Sequence, residues 1–219
     1  MLDISTTSID QIIALVPELG SLRKVEETNI WHDHDNEFDH TVAVFGRVKE
    51  IVVDPPCDQS DDKTAIQTYL SSPVGLMKRS DILLWTAILH DIGKPGLFRM
   101  TPYGMLAPGH EEHSFTIAQS ILPRVGIDTQ SSDRILKLIR YHGWGHEVIG
   151  LPSLTTLEES IRAINDYLRG PTGSITLDLL LFAYADMAGS QLSRLNAEQF
   201  AKRSDRYKAL YSHVISTLL

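Results

Sequence analysis

The stretch Asp81-Ile82-Leu83-Leu84-Trp85-Thr86-Ala87-Ile88-Leu89-His90-Asp91-Ile92-Gly93-Lys94-Pro95 decides how this chain is read. Between Ile82 and Leu89 only Thr86 is polar, the pattern of a helix buried on every side. Gly93 and Pro95 then end it in the order expected at a helix C-terminus. The polar pair His90-Asp91 sits at the end of this apolar helix. A buried histidine beside a buried carboxylate is costly unless both find partners. Neighbouring residues on a helix point ~100° apart. They can therefore share one centre only near a helix end, or flank one metal and bridge towards a second. Imidazole and carboxylate suit Mn, Fe, Co, Ni or Zn, and carboxylate alone also suits Mg.

Outward from this segment the periodicity stays helical. Ser8 caps a short first helix that ends before Pro17, and Asp39–Val53 places Val42, Phe45, Val48 and Val52 at three- and four-residue spacing. Further helices are predicted over Asp62–Leu70, His110–Leu122, Ser132–Tyr141, Thr156–Leu168, Thr176–Ala188 and Ala197–Leu218. Thr155 or Thr156 with Glu158 or Glu159 forms a capping box. Phe98–Ala107 reads as a loop or a small hairpin around Tyr103-Gly104. No repeat or linker divides the chain, so the expected architecture is all-α and a single domain over 1–219. Its core covers about 31–194, and the helix over 195–219 packs on that core.

Composition narrows the function. The chain has 219 residues, 42% hydrophobic and 22% charged, within ordinary globular usage. Its one cysteine, Cys57, cannot form an internal disulfide. No signal peptide is visible over Met1–Ile13, and no apolar run reaches ~18 residues, so a cytoplasmic protein with no membrane attachment is expected. The net charge of −8 argues against extensive nucleic-acid binding. A small anionic substrate stays open, because a metal supplies positive charge locally.

Nine histidines are present, and several lie near predicted helix ends. His40 opens the second helix, His110 opens the fifth in Gly109-His110-Glu111-Glu112-His113, and His142 follows Ile135–Tyr141. Asp186 interrupts the apolar run Leu179–Ala188. Taken singly, His40 also fits a surface helix start and His110 a first-turn cap. His142 also fits a C-terminal dipole partner, and Asp186 a partner for an arginine. Helices from distant parts of the chain aiming such groups inward is how bundles build metal sites.

The order His40, His90-Asp91, Asp186 resembles the signature of the HD-domain metal-dependent phosphohydrolases. Leu89-His90-Asp91-Ile92-Gly93-Lys94-Pro95, Pro108-Gly109-His110-Glu111, and Ala185-Asp186 followed by Gly189 resemble the HD domain of bacterial CCA-adding tRNA nucleotidyltransferases, as does His34 through Phe38-Asp39-His40-Thr41. The likeness spans about Trp31 to Arg194. The nucleotidyltransferase head is missing, so CCA addition to tRNA is not expected. The resemblance implies an HD-type helical bundle in which His40, His90, Asp91 and Asp186 bind one divalent metal. It also implies that His110 and His142 complete a second site bridged by Asp91. His113 stands as a substitute or supporting group, and His32, His34 and His146 read as surface or rim residues.

The implied reaction is hydrolysis of a small phosphate mono- or diester, with a nucleotide as the expected substrate and water activated by the metal as nucleophile. Two divalent ions against the carboxylates of Asp91 and Asp186 alone leave two net positive charges for the phosphate. Lys94 is the expected phosphate contact, or else it neutralises the end of the central helix. Glu111 and Glu112 could orient histidine ligands, and Arg99, Arg140 and Arg194 are candidate phosphate clamps. Tyr103, Tyr141 and Trp144 could stack a base or simply pack. Two other functions stay open: a mixed-valence di-iron oxygenase on the same ligands, and a non-catalytic nucleotide-sensing module. The stripe Phe200, Tyr207, Leu210, Tyr211, Val214, Leu218 would cover either the chain's own core or the partner in a homodimer.

Overall fold

The apolar run folds as helix α4, Arg79–Leu89, in which every residue from Ile82 to Leu89 is buried. Four helices surround it: α2 (Glu37–Val53), α3 (Ser60–Ser71), α6 (Thr129–Tyr141) and α9 (Thr176–Gly189). In this computed structural model residues 3–102, 104–150, 156–170 and 172–218 are described. Tyr103 and Thr155 lie outside them. The remaining helices are α1 (Ile9–Leu15), α5 (His110–Arg124), α7 (Trp144–Ile149), α8 (Leu157–Arg169), α10 (Leu192–Leu195) and α11 (Ala197–Leu218). The all-α bundle is thus the one expected. Full burial of each Leu or Ile side chain in α4 and α9 contributes ~1.5–3 kcal/mol, which is why the bundle forms around these two helices.

Three short antiparallel hairpins join helices: β1 (Glu26–Glu27) with β2 (Asp35–Asn36), β3 (Pro73–Val74) with β4 (Met77–Lys78), and β5 (Arg99–Thr101) with β6 (Gly104–Leu106). The last is the hairpin the sequence left open against a loop. Asn29, in the β1–β2 loop, forms a bridge with Gly104, and Met105 N–H donates to the Thr28 carbonyl at 2.8 Å. These contacts tie two hairpins together beside the end of α4.

Caps explain where helices begin. Ser8 and Gln11 form a reciprocal box at α1, and Thr156 with Glu159 does the same at α8. Asp128 accepts from the N–H groups of Gln130 and Ser131, so α6 starts at Thr129, ahead of the predicted Ser132. Two glycines set the helix approach near the site. A Cβ at Gly93 would lie 2.3 Å from the Ser114 backbone nitrogen, and one at Gly189 would lie 2.9 Å from that of Val44. Side chains there would push α4 away from α5 and α9 away from α2.

The stripe on α11 turns inward. Tyr207, Leu210, Tyr211 and Val214 are fully buried, and the helix packs against α3, α8 and α9 of its own chain. Trp144 likewise packs into the core, its ring edge-on to Tyr167. No helix among the described residues is long and apolar enough to cross a membrane.

Candidate metal centre

Three histidines are aimed by the backbone at helix ends. His90 follows the last residue of α4, and its Nδ1 donates to the Ala87 carbonyl at 3.0 Å. His142 follows α6 and donates from Nδ1 to Ile139 at 2.7 Å, while His110 opens α5 and donates to Ala107 at 2.8 Å. A carbonyl can only accept, so each ring carries a proton on Nδ1 and presents Nε2 on its other side. Carbonyls in the last turns of α4 and α6 lack continuing helix to bond them, which leaves them free for this role.

Candidate ligand atoms converge in three groups among the described residues; one is His32, Asp35 and His40, and the other two lie at the His90-Asp91 pair. Ligand atoms of His40, His90 and Asp186 lie within 4.8 Å of one another, and so do those of Asp91, His110 and His142. His40 Nε2 is 3.0 Å from Asp186 Oδ1, and His90 Nε2 is 2.9 Å from Asp91 Oδ2. Asp91 turns its other oxygen to the second group, 3.2 Å from His110 Nε2 and 3.7 Å from His142 Nε2. The single carboxylate of Asp91 therefore reaches both groups. The adjacent residues His90 and Asp91 reach one centre because the helix ends at Leu89 and both lie in the turn that follows. Phe182 of α9 lies edge-on to the His90 and His142 rings and forms the apolar backing of the site.

Unmet bonding capacity shows that these residues fit a divalent ion. His90 Nε2 and Asp91 Oδ1 are buried without an aligned hydrogen-bond partner, and so is His40 Nδ1. His110 Nε2 and His142 Nε2 face each other at 3.1 Å, although both rings have spent their Nδ1 protons on carbonyls. Two lone pairs at that distance repel unless a cation, a proton or a metal, lies against them.

The electrostatics agree. Burial opposes the charge on Asp91, but His90, Lys94 and His110 outweigh it and hold the carboxyl well below the ordinary range. Asp186 is also held well below, against burial, by His146 and His40. Burial, reinforced by His110, pushes His142 down to about 3, so its ring is neutral and ready to ligate. At His90 and His110 burial works against protonation, yet Asp91 prevails and raises both.

The centre forms the floor of a cavity of about 560 Å³. Ile30, Trp31, Leu106, Ala107 and Pro108 supply an apolar wall, and Glu111 and Glu147 an acidic one. Five of the six expected metal ligands line it, and the sixth, His90, is fully buried with its Nε2 2.9 Å from Asp91 Oδ2.

Several other expectations need correction. The sequence places His146 and His32 at the surface or rim, but both are buried. His146 Nε2 bonds Asp186 Oδ2 at 2.8 Å, and His32 pairs with Asp35 at 2.9 Å with its ring edge-on to His40. The signal for His146 was its position in α7, one turn beyond His142, a helix the periodicity missed. His34 is exposed, as expected.

None of the proposed arginine clamps lines the cavity. Arg140 forks onto Glu112 at 2.7 and 2.8 Å and stacks on Phe115, which also removes Glu112 from any role at the ligands. Arg194 bonds Gln191 at 2.6 Å beside Asp33, and Arg99 is exposed on β5. Tyr141 and Trp144 do not line it either; among the described residues Trp31 is the Phe, Tyr or Trp side chain that does. Lys94 does line it, but its ammonium is already held by Glu27 at 2.8 Å, Asp91 at 3.0 Å and Glu37 at 3.2 Å. Burial pushes Glu37 up to about 10, whereas Lys94 overcomes burial at Glu27 and holds it at about 2. Neither glutamate was singled out from the sequence. Glu111 Oε2 lies 3.5 Å from His110 Nδ1, and exposed His113 donates to the Gly93 carbonyl at 2.8 Å, bracing the turn after Asp91.

A family model of the HD domain matches residues 38–187, from just before the first ligand to just after the last. The chain belongs to the HD-domain family. HD domains are in general metal-dependent phosphohydrolases that bind divalent ions, and the convergent groups of this chain could hold such ions. No curated protein matches this HD-domain chain, so its likeness to the CCA-adding enzymes rests on the motifs alone.

Proposed function

We propose that the chain hydrolyses a small phosphate ester, with a nucleotide as substrate, at a centre of two divalent metals. One observation carries this reading. Asp91 presents one oxygen to His90 at 2.9 Å and the other to His110 at 3.2 Å, in reach of both ligand groups. His40, His90, Asp91 and Asp186 would hold one ion, and Asp91, His110 and His142 the other. An ion bound there lowers the pKa of coordinated water towards ~7 and acts as a Lewis acid on phosphoryl oxygens.

The protein's own groups do the rest. Lys94 fixes Asp91 Oδ2 at 3.0 Å, and His146 fixes Asp186 Oδ2 at 2.8 Å, so neither carboxylate can swing away from its metal. Trp31, Leu106 and Pro108 exclude water from one side of the substrate. Cytoplasmic location and the absence of a nucleic-acid or membrane partner belong to the same proposal and rest on composition.

The test is phosphate release from nucleotide esters by protein loaded in turn with Mn, Co, Ni, Mg, Zn or Fe. Turnover with at least one metal is expected. A negative screen at verified metal occupancy would overturn the reading. Substrate-dependent O₂ uptake with iron would replace it with the oxygenase, and nucleotide-dependent thermal stabilisation without turnover would replace it with a sensing module.

A further inference from the structure

We infer that the site selects esters bearing a single phosphate on a neutral organic group, nucleoside monophosphates in particular, and discriminates against di- and triphosphates. This rests on the phosphohydrolase reading above and narrows it. Among the described residues that line the cavity the one lysine is Lys94, and no arginine is present. Its ammonium is already engaged by Glu27, Glu37 and Asp91 at 2.8–3.2 Å. Anion binding therefore falls to the metals.

The lining carboxylates are Glu27, Asp91, Glu111, Glu147 and Asp186. Together with Lys94 and two divalent ions they sum to no net charge, whereas Asp91 and Asp186 alone would have left two positive charges over. The scissile phosphate is satisfied at the metals. A second or third phosphate would share the cavity with the lining carboxylates of Glu111 and Glu147, for which the described lining offers no lysine or arginine besides the engaged Lys94, and like charges there repel. In the same lining Ile30, Trp31, Leu106 and Pro108 offer a surface for an uncharged, partly apolar leaving group. In the reaction water adds to phosphorus and the ester P–O bond breaks. The bonding pair leaves on the alcohol oxygen, which takes up a proton, giving nucleoside and inorganic phosphate.

The experiment compares AMP, ADP and ATP with metal-loaded protein at constant free metal, reading phosphate and nucleoside, with p-nitrophenyl phosphate as a reference ester. The expected result is kcat/KM for AMP at least about tenfold above that for ATP, equivalent to ~1.4 kcal/mol. Glu111→Gln with Glu147→Gln should shrink that gap to within about threefold. Glu147→Gln alone, at an exposed position where folding is not at stake, should narrow it part of the way. ATP turned over as well as AMP, or a gap unmoved in both variants, overturns the inference while leaving the phosphohydrolase reading intact. Turnover of p-nitrophenyl phosphate with no nucleotide hydrolysed overturns the inference and the nucleotide assignment, and leaves the phosphate-ester hydrolase. Failure on every ester removes both.

Discussion

Asp178 and Asp186 stand on one face of α9 about two turns apart, and the chain treats them in opposite ways. Asp178 Oδ2 receives Arg134 through both Nε and Nη2, with Arg79 3.5 Å away, and Tyr69 completes the arrangement by accepting from both arginines. Two permanent cations neutralise it, and it belongs to the packing between α4, α6 and α9. Asp186 receives only imidazoles, His40 at 3.0 Å and His146 at 2.8 Å. An imidazole that ligates a metal is neutral, so the charge of Asp186 is left for an ion to balance. The difference separates two kinds of buried acid: Asp178 has permanent counter-charges on Oδ2, although its Oδ1 is left without a hydrogen-bond partner, whereas Asp186, matched by histidines, is the one whose charge a bound cation would balance.

The largest effect expected from this contrast is on turnover. Asp91→Ala should reduce hydrolysis by more than about a thousandfold, or ~4 kcal/mol of transition-state stabilisation, with the helical CD spectrum kept. Retained activity would show that the bridging carboxylate is not part of the reaction. Asp178→Ala should do the reverse. It strands Arg134 and Arg79 and should cost ~3–5 kcal/mol of folding stability in a denaturant melt, while the protein still folded keeps its specific activity. A stable Asp178→Ala variant with lost activity would erase the distinction between the two aspartates.

Metal removal sharpens the contrast further. Chelation should abolish activity, and re-adding metal at ~100 times its dissociation constant should raise stability by ~2.7 kcal/mol, read as a shift in Tm. His146→Asn should weaken metal binding about 10–100-fold in a competition titration, because it frees one oxygen of Asp186. The smallest effect concerns pH. Asp91 raises the pKa of His90 and His110, so a binding metal must displace protons from them. Affinity should therefore rise with pH above ~6.5, with proton release detectable by calorimetry in buffers of different ionisation enthalpy. Affinity that fell over that range would reverse the assigned roles of these rings.

Much of the bundle was legible because its signals are local. The all-round apolarity of α4, the Ser8 and Thr156 caps and the Gly93–Pro95 stop each act within a few residues of chain. The start of α6 was misread because its cap, Asp128, precedes the first apolar position by several residues. The ligand histidines were readable because they fall at helix ends in a family order. Lys94 shows the limit of such reading. Its closeness to Asp91 follows from the local turn after α4, but its capture by Glu27 and Glu37 depends on a hairpin and a helix start more than fifty residues upstream. His32 and His146 were missed for a related reason: burial is decided by the elements packed over a residue, and α7 and the β1–β2 loop carry weak periodic signals.

The donation from the rings of His90, His110 and His142 to nearby carbonyls carries a cost for a protein that is warmed. The orientation of His90 and His142 is only as secure as the final turns of α4 and α6, and terminal turns fray before a bundle melts. Heat inactivation should thus set in as those two ends loosen, at a temperature where the far-ultraviolet signal still reports an intact fold.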